Sequence, residues 1–380
     1  MKINSKLPDV GTNIFSEMSG LARQYGAINL AQGFPNFNPP QGLIDCVQKA
    51  LSENFHQYAP MSGTLELRNA ISVMTQNTNE VEVDAQNEIC ITSGASQALS
   101  TAIQAFVHPG DEVICIEPCY DLYRPSIELN QGVYRAIITE GPDFNMYWQK
   151  LEYTISSKTR MIIVNTPSNP TGKVWTKAEW EKLYHIIKNH NIMILSDEVY
   201  QHLVFDEKRH VSVLEHPELK HRAIAAFSFG KTFHCTGWKI GYCIAPANLM
   251  REFKKAHQFN VFSVPHFLQI GIANYLSGPD TYKGLGSFYQ GKRDLFEQLM
   301  EDTKFTALSS QGSFFQLYDH HQLDHSYDKD LAIQLTKEQG VTTIPISSFY
   351  SQPPKKQYLR FCFAKTEDVL EKAADLLRDF

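Results

Sequence analysis

Short hydrophobic runs alternate with amphipathic stretches through the middle of the chain, from about residue 88 onwards. Runs of this length, bounded by glycine, proline or serine, are typical of buried strands, and the amphipathic stretches between them are typical of helices that cover a sheet. This alternation predicts an α/β fold. The predicted strands are 88–92, 111–116, 133–138, 159–164, 192–197, 222–227 and 241–245.

The two ends of the chain follow a different pattern. An amphipathic stretch at Ile14–Tyr25 precedes a glycine–proline turn, and residues 40–80 contain two further predicted helices. After the last strand the chain is predicted to be helical to about residue 302, where short strands begin. This mixed C-terminal region predicts a second, smaller domain. Its predicted helices are 281–300, 328–339 and 366–378.

Composition and charge narrow the class of protein. With 380 residues the chain is long enough for two domains, and a formal net charge of −6 argues against a nucleic-acid partner. No run of about 18 apolar residues and no signal-peptide core is present, so we predict no membrane span. The seven cysteines are scattered, which predicts reduced thiols and a cytoplasmic protein. His320, His321 and His325 lack further ligand residues at metal-site spacing, so we interpret them as solvated and predict no metal.

The segment 228–242 carries the residues best suited to chemistry. An amine that attacks a carbonyl must be uncharged, so a nucleophilic lysine needs a site that lowers its pKa. Lys231 is such a candidate, and Lys239 could supply the positive charge or bind an anion such as a phosphate together with Ser228. A surface lysine is one alternative, and a serine nucleophile in the S-x-x-K pattern is another. The S-D-N and K-T-G motifs that accompany that serine are missing.

The pattern S-F-G-K-x-x-x-x-T-G-W-K-x-G-Y resembles the lysine segment of the fold type I pyridoxal-phosphate aminotransferases, and the resemblance extends over essentially the whole chain. It looks closest to the branch of the bacterial methionine aminotransferases and the kynurenine–glutamine aminotransferases. The resemblance implies a large domain, 40–279, with a mostly parallel seven-stranded sheet, and a smaller α+β domain formed by 1–39 and 280–380. It also implies pyridoxal 5′-phosphate as cofactor, bound covalently by Lys231, with Ser228 and Lys239 on its phosphate.

Other motifs of the chain match this family in order and spacing. The turn after strand 88–92 favours an anion site at Gly94, Ala95 and Ser96 if a helix begins there, and the resemblance places the cofactor phosphate at this turn. The resemblance further implies that Tyr120 stacks on the pyridine ring. It implies that Tyr58 reaches the cofactor phosphate of a neighbouring subunit, which predicts a homodimer.

The remaining cofactor positions follow two strands of the predicted sheet. Asp197 ends an apolar strand, where a carboxylate needs a partner, and the resemblance implies that this partner is the pyridinium N–H. Tyr200 and Asn169 are implied to bind the cofactor O3′, and Asn169 also touches the substrate carboxylate. A capping role for Asp197 at a helix start and an Asx turn at Asn169 are the structural alternatives.

Substrate residues are predicted at both ends of the chain. The resemblance implies that Arg360 binds the substrate α-carboxylate and that Gly33 and Phe34 border the substrate. Aromatic walls favour an apolar, thioether or aromatic amino acid over one with a second carboxylate. We assign this wall to Phe15, Phe34, Tyr58, Tyr120, Phe349 and Tyr350.

The combined hypothesis is ping-pong transamination between an L-amino acid, methionine favoured, and a 2-oxo acid. A kynurenine or glutamine aminotransferase and a cysteine-conjugate β-lyase are alternatives with the same cofactor. The ligand-sensing domain of a transcription regulator is less suited, because the short N-terminal segment is not a basic helix-turn-helix domain. A binder without catalysis is also less suited, because every matched catalytic position is filled.

Overall fold

The computed structural model describes residues 4–8, 10–323 and 327–380. A seven-stranded sheet forms its centre, with strand order β2-β8-β7-β6-β5-β3-β4. Strand β8 is antiparallel to both of its neighbours, and the other neighbours are parallel. This confirms the α/β class and the mostly parallel sheet. The strands are β2 (Ile89–Thr92), β3 (Glu112–Glu117), β4 (Val133–Ile138), β5 (Thr159–Asn165), β6 (Met193–Asp197), β7 (Ala223–Ser228) and β8 (Gly241–Ile244).

Helices cover both faces of this sheet, which is why its strands are continuous hydrophobic runs. One face packs against residues such as Leu67 and Trp180, and the other against Leu99 and Phe253. The helices of this part are α2 (Gln41–Ser52), α3 (Leu65–Asn79), α4 (Gly94–Phe106), α5 (Tyr123–Leu129), α6 (Trp148–Thr154), α7 (Lys177–Ile187), α8 (Phe229–Thr232), α9 (Ala247–Asn260) and α10 (His266–Leu276).

A second, smaller sheet is antiparallel, with strand order β12-β13-β10-β9, and it has its own core of buried aromatic and aliphatic side chains. Strand β1 pairs with β11, which joins the N-terminal segment to the C-terminal part. The domain limits after residues 39 and 279 stay a prediction. The elements here are α1 (Ile14–Tyr25), β1 (Ile28–Asn29), α11 (Leu285–Met300), β9 (Thr306–Ala307), β10 (Phe315–Asp319), α12 (Asp328–Gln334), β11 (Val341–Thr342), β12 (Ile344–Pro345), β13 (Tyr358–Cys362) and α13 (Glu367–Arg378).

Three expectations from the sequence need correction. The helix expected at 281–300 begins only at Leu285, because Gly284 adopts a left-handed conformation with φ of 77° just before it. The helix expected at 328–339 changes to π geometry at Leu335. His320 is buried, not solvated, because it directly follows the core strand β10, whereas His325 lies outside the described residues.

Two predicted absences concern metal and membrane. The described ranges contain no group of three or more histidine, cysteine or carboxylate residues that could hold a metal ion. Across those same ranges, no helix is both long and apolar enough to span a bilayer.

Candidate active site

The carboxyl ends of β2, β5, β6 and β7 lie at one edge of the large sheet, since these four strands run in the same direction. Ligands in open α/β sheets bind at such an edge. A cleft of about 280 Å³ opens there. Three predicted site residues, Tyr58, Phe349 and Tyr350, are not part of its lining. The cleft brings together the others: Phe15, Gly33, Phe34, Gly94, Ala95, Ser96, Tyr120, Asn169, Asp197, Tyr200, Ser228, Lys231, Lys239 and Arg360.

Lys231 lies on the short helix α8, directly after strand β7. Its Nζ donates to the carbonyl oxygen of Gly33 at 3.0 Å and lies 5.2 Å from the centre of the Phe314 ring. Burial lowers the pKa of Lys231 to about 8, and the charge of Arg360 acts in the same direction. With that pKa about one amine in ten is neutral at pH 7, against fewer than about one in a thousand for an ordinary lysine. The cleft therefore meets the requirement for a nucleophilic amine.

Asp197 is the last residue of β6 and is buried. The hydroxyl of Tyr123 donates to its Oδ2 at 2.6 Å, and the backbone N–H of Val199 donates to Oδ1 at 3.4 Å. Burial raises the pKa of Asp197 to about 6, although these hydrogen bonds oppose the shift. A turn follows, not the helix start that a capping role would need. The carboxylate is therefore suited to a cationic partner in the cleft, such as a protonated ring nitrogen.

We expect the cofactor-free Asp197→Asn variant to be more stable than the unchanged protein above about pH 6, by up to about 3 kcal/mol. A carboxyl whose pKa is raised on folding binds protons more tightly in the folded state. The free energy of unfolding of the unchanged protein therefore falls as the pH rises from about 4 to about 6, and asparagine cannot titrate. Thermal unfolding of both cofactor-free proteins across this pH range measures the difference. Identical pH dependences would contradict the assignment of this titration to Asp197.

The start of α4 forms a cradle for an anion. Gly94 has a φ of 71°, and a Cβ placed on it would lie 3.5 Å from the Nζ of Lys239. Gly241 lets β8 approach this turn, because a Cβ there would lie 2.5 Å from the carbonyl oxygen of Phe227 and 3.1 Å from the backbone nitrogen of Ala95. Helix N-termini with free N–H groups attract phosphate. The cradle, Lys239 and Ser228 together fit the phosphate of pyridoxal phosphate.

Arg360 lies on β13 and is completely buried. Its Nη1 donates to the Oδ1 of Asn169 at 2.6 Å, its Nη2 donates to the carbonyl oxygen of Ala31 at 2.7 Å, and the guanidinium carbon lies 3.8 Å from the centre of the Phe315 ring. Burial lowers the pKa of Arg360 to about 10, so the side chain stays charged at neutral pH. Its Nε has no hydrogen-bond partner among the described residues. A buried cation that lines the cleft fits a carboxylate ligand.

The aromatic wall differs from the one expected. Tyr58 is 81% exposed and rests edge-on against Phe262, outside the cleft. Phe349 lies behind the wall, against Phe15 and the guanidinium of Arg360, and Tyr350 donates to the carbonyl oxygen of Thr139. These three side chains are not part of the described cleft lining. Its aromatic residues are Phe15, Phe34, Tyr120, Tyr200 and Phe315.

Two residues that contact the site, Tyr123 and Phe315, were not identified from the sequence. Tyr123 stands three residues after Tyr120, in a turn where its backbone N–H donates to the carbonyl oxygen of Tyr120 at 3.2 Å, and the two rings lie 5.9 Å apart and edge-to-face. That spacing was the available signal. Phe315 belongs to no motif, and its position against Arg360 follows only from the pairing of β10 with β13.

Comparisons with known proteins agree with this geometry. A family model described as aminotransferase class I and II matches residues 25–377. The chain is 42% identical over 375 residues to the methionine aminotransferase of Escherichia coli (strain K12), which covers 98% of this chain and 97% of that protein. It is 34% identical over 416 residues to the kynurenine–oxoglutarate transaminase of Dictyostelium discoideum, covering 99% and 96%.

Solved structures show the same relationship. YbdL from Escherichia coli, whose crystal structure and reactivity identify a methionine aminotransferase function, has a TM-score of 0.98 at 42% identity over 100% of both chains. The N-succinyldiaminopimelate aminotransferase from Mycobacterium tuberculosis has a TM-score of 0.95 at 32% identity over 100% of both chains.

The chain belongs to the class I and II aminotransferases. It is an enzyme that acts on amino and 2-oxo acids with pyridoxal phosphate, and both branches that the lysine segment indicated are found among its relatives. The residues of the cleft fit this cofactor. They provide an anion cradle at the start of α4, the amine of Lys231 with its lowered pKa, and the buried carboxylate of Asp197.

Proposed function

We propose that this aminotransferase takes L-methionine as its preferred amino donor. The observation that carries the proposal is the composition of the cleft. Beside the buried guanidinium of Arg360, its described lining is rich in aromatic residues: Phe15, Phe34, Tyr120, Tyr200 and Phe315. Aromatic walls suit a thioether or another apolar side chain. The 42% identity to a methionine aminotransferase supports the same substrate.

Each residue of the cleft has a proposed task. Pyridoxal phosphate would supply an electron sink for the substrate Cα and a carrier for the amino group. The Nζ of Lys231 would hold this cofactor covalently, and the same amine would move the proton at Cα as general base and acid. The carboxylate of Asp197 keeps the ring nitrogen protonated, and Tyr120 stacks on the ring. The O3′ is bound by Tyr200 and Asn169, and the phosphate by Gly94, Ala95, Ser96, Ser228 and Lys239.

The substrate is held at its carboxylate. We propose that Arg360 binds this group and that Asn169 contacts it as well, since Asn169 already accepts from the guanidinium. Gly33 and Phe34 border the substrate, with the Gly33 carbonyl held by Lys231. Phe15 packs beside Arg360, 5.2 Å from its guanidinium carbon. This arrangement excludes water from the ion pair and fixes which side of Cα faces Lys231.

A panel of amino donors tests the substrate. With bound cofactor, the change in cofactor absorption on adding methionine, phenylalanine, glutamine, kynurenine or aspartate reports the first half-reaction without a second substrate. We expect methionine to react fastest and aspartate at least about a hundredfold more slowly, because a second buried carboxylate would lack a cation. The cations of the described cleft lining are Lys231, Lys239 and Arg360, and each has a task. Aspartate reacting as fast as methionine would contradict the proposal, and kynurenine reacting fastest would favour the other branch.

We also propose a homodimer in which Tyr58 completes the partner's phosphate site. The exposed position of Tyr58 outside its own cleft supports this arrangement. Replacement by phenylalanine is expected to weaken cofactor binding about tenfold, since one hydrogen bond to a charged phosphate is lost. Equilibrium sedimentation and cofactor titration measure the two parts. A monomer in solution, or an unchanged cofactor affinity, would contradict them.

We propose the cytoplasm as the location. All seven cysteines are free thiols, which supports a reducing compartment. Burial raises the pKa of Cys90, Cys119 and Cys235 to about 12 in each case, so these thiols are unreactive.

A further inference from the structure

A buried histidine–carboxylate pair lies next to the cleft without lining it. Glu198 follows Asp197 directly in the chain and is 0% exposed, and His210 is 4% exposed. The Nε2 of His210 lies 2.7 Å from the Oε2 of Glu198. The side chains that line the cleft do not include either residue, so neither is placed to contact the substrate.

Glu198 is held by a complete set of donors. The Ser196 hydroxyl donates to its Oε1 at 2.7 Å, and the backbone N–H of Val213 donates to the same oxygen at 3.0 Å. An ionised carboxylate only accepts hydrogen bonds, so the Nε2 of His210 carries the proton that faces Oε2. A buried carboxylate is costly unless it is paired in this way. His210 is therefore the principal partner of the Oε2 of Glu198.

The pair is mechanically connected to both catalytic strands. The backbone N–H of Glu198 donates to the carbonyl oxygen of Ala226 at 2.9 Å, and Ala226 lies on β7, two residues before Ser228. Strand β6 delivers Asp197 and strand β7 leads to Lys231. The hydrogen bond between Glu198 and Ala226 joins the ends of these two strands. Holding the Glu198 side chain in place therefore also holds the ends of β6 and β7 in place relative to each other.

The pair is also electrostatically close to the cleft. The negative charge of Glu198 contributes to raising the pKa of Asp197, although burial is the main cause. The titratable groups that face the pair are His202 in the next turn, Tyr242 on β8, and Arg209, which donates to the backbone of His210 and pairs with Glu215. Of these, the half-buried His202 and the buried Tyr242 stay neutral, since desolvation lowers the pKa of His202 to about 3 and raises that of Tyr242.

We propose that His210 and Glu198 act as one positioning unit, which holds Asp197 oriented towards the ring nitrogen of the cofactor. His210 is a positioning residue in this sense and not a catalytic one. The inference rests on the role proposed above for Asp197. Removing one partner of the pair should therefore weaken cofactor binding more than it lowers the thermal stability of the protein.

A set of variants with a matched control tests this unit. The variants are His210→Leu, which removes the donor to Glu198, Glu198→Gln, the double substitution and the milder Ser196→Ala. The control is His216→Leu, because His216 is also a buried histidine beside a carboxylate, 3.2 Å from Glu181, but the hydrogen-bond partners of its ring, Glu181, Glu218 and Leu219, do not lie at the ends of β6 or β7. For each protein we would measure the pyridoxal-phosphate dissociation constant, the pH titration of the bound cofactor's absorption without substrate, and the thermal midpoint.

We expect His210→Leu to weaken pyridoxal-phosphate binding about tenfold and to shift the absorption titration, since the Oε2 of Glu198 then loses its donor beside Asp197. The double substitution His210→Leu/Glu198→Gln removes the carboxylate and should recover affinity to within about threefold of the unchanged protein. Ser196→Ala should change both readouts in the same direction by a smaller factor. His216→Leu should lower the thermal midpoint alone.

Equal losses of thermal midpoint in His210→Leu and His216→Leu, with cofactor affinity and titration unchanged in both, would overturn the inference. Additive effects of the two single substitutions would also overturn it, because the pair would then not act as one unit. If His210→Leu does not fold, an unchanged cofactor affinity and titration in Ser196→Ala decides against it. An unsubstituted protein that takes up no pyridoxal phosphate would instead refute the proposed role of Asp197 itself.

Discussion

Replacing Lys231 by alanine should slow the half-reaction with methionine by about four orders of magnitude, even with excess pyridoxal phosphate. Lys231 is the amine whose Nζ lies inside the cleft with a pKa lowered to about 8. Lys239 cannot replace it, because its side chain lies at the anion cradle beside Gly94. The variant should also lose the absorption band that the unchanged protein shows when its lysine holds the cofactor.

Lys239→Gln is the matched control for this experiment. It removes a lysine from the same segment, but at the phosphate cradle, so we expect weaker cofactor binding and near-normal half-reaction rates once the cofactor is saturating. Stopped-flow absorption of each loaded protein with methionine gives these rates. If Lys231→Ala retained a rate within about tenfold of the unchanged protein, Lys231 would not be the proton carrier.

Replacing Arg360 by alanine should lower kcat/KM for methionine by about a hundredfold to a thousandfold, which corresponds to about 3–4 kcal/mol. The buried guanidinium is the cation with which the substrate carboxylate can form an ion pair. Its removal also leaves the Oδ1 of Asn169 and the carbonyl oxygen of Ala31 without the donors that Arg360 supplies. We expect most of the loss in KM, because the carboxylate is bound before any bond to Cα changes.

Arg360→Lys separates charge from geometry. A lysine keeps the charge but cannot donate to Asn169, Ala31 and a carboxylate from one planar group, so we expect only partial recovery. Arg293→Lys is the control, since Arg293 is a nearly buried arginine bound to Asp206 at 2.8 and 2.6 Å and lies outside the cleft lining. It should change stability and leave KM unaltered. Equal KM values for Arg360→Ala and the unchanged protein would remove Arg360 from the substrate site.

The sequence predicted the strands and the edge at which the cleft lies. Buried strands of a parallel sheet are continuous hydrophobic runs, so their ends could be located to within a residue or two. Because Gly94, Asn169, Asp197 and Lys231 each follow such a run, their meeting at one edge followed from topology. The hydrophobic pattern predicts where these residues lie but not what they do. Their chemical roles were taken from the family resemblance.

Contacts between distant parts of the chain could not be predicted in this way. The pairing of β10 with β13 brings the ring of Phe315 against Arg360. The same ring packs so closely against Gly33 that a Cβ there would lie 2.6 Å from it. The sequence around Gly33 and around Phe315 indicates neither contact. His210 is joined to Glu198 across a loop whose path the hydrophobic pattern does not define. Tyr58 shows the reverse case, because its motif is present in the sequence but the ligand that we propose for it belongs to a second subunit.

The most direct measurement identifies the lysine that holds the cofactor. Protein loaded with pyridoxal phosphate is reduced with borohydride, which fixes the cofactor to that lysine, and the digested peptides are analysed by mass spectrometry. We predict a single modified peptide that contains Lys231. When methionine is added before the borohydride, Lys231 no longer holds the cofactor, and we predict no modified peptide. Modification at Lys239 or at surface lysines, with Lys231 unmodified, would contradict the proposed active site.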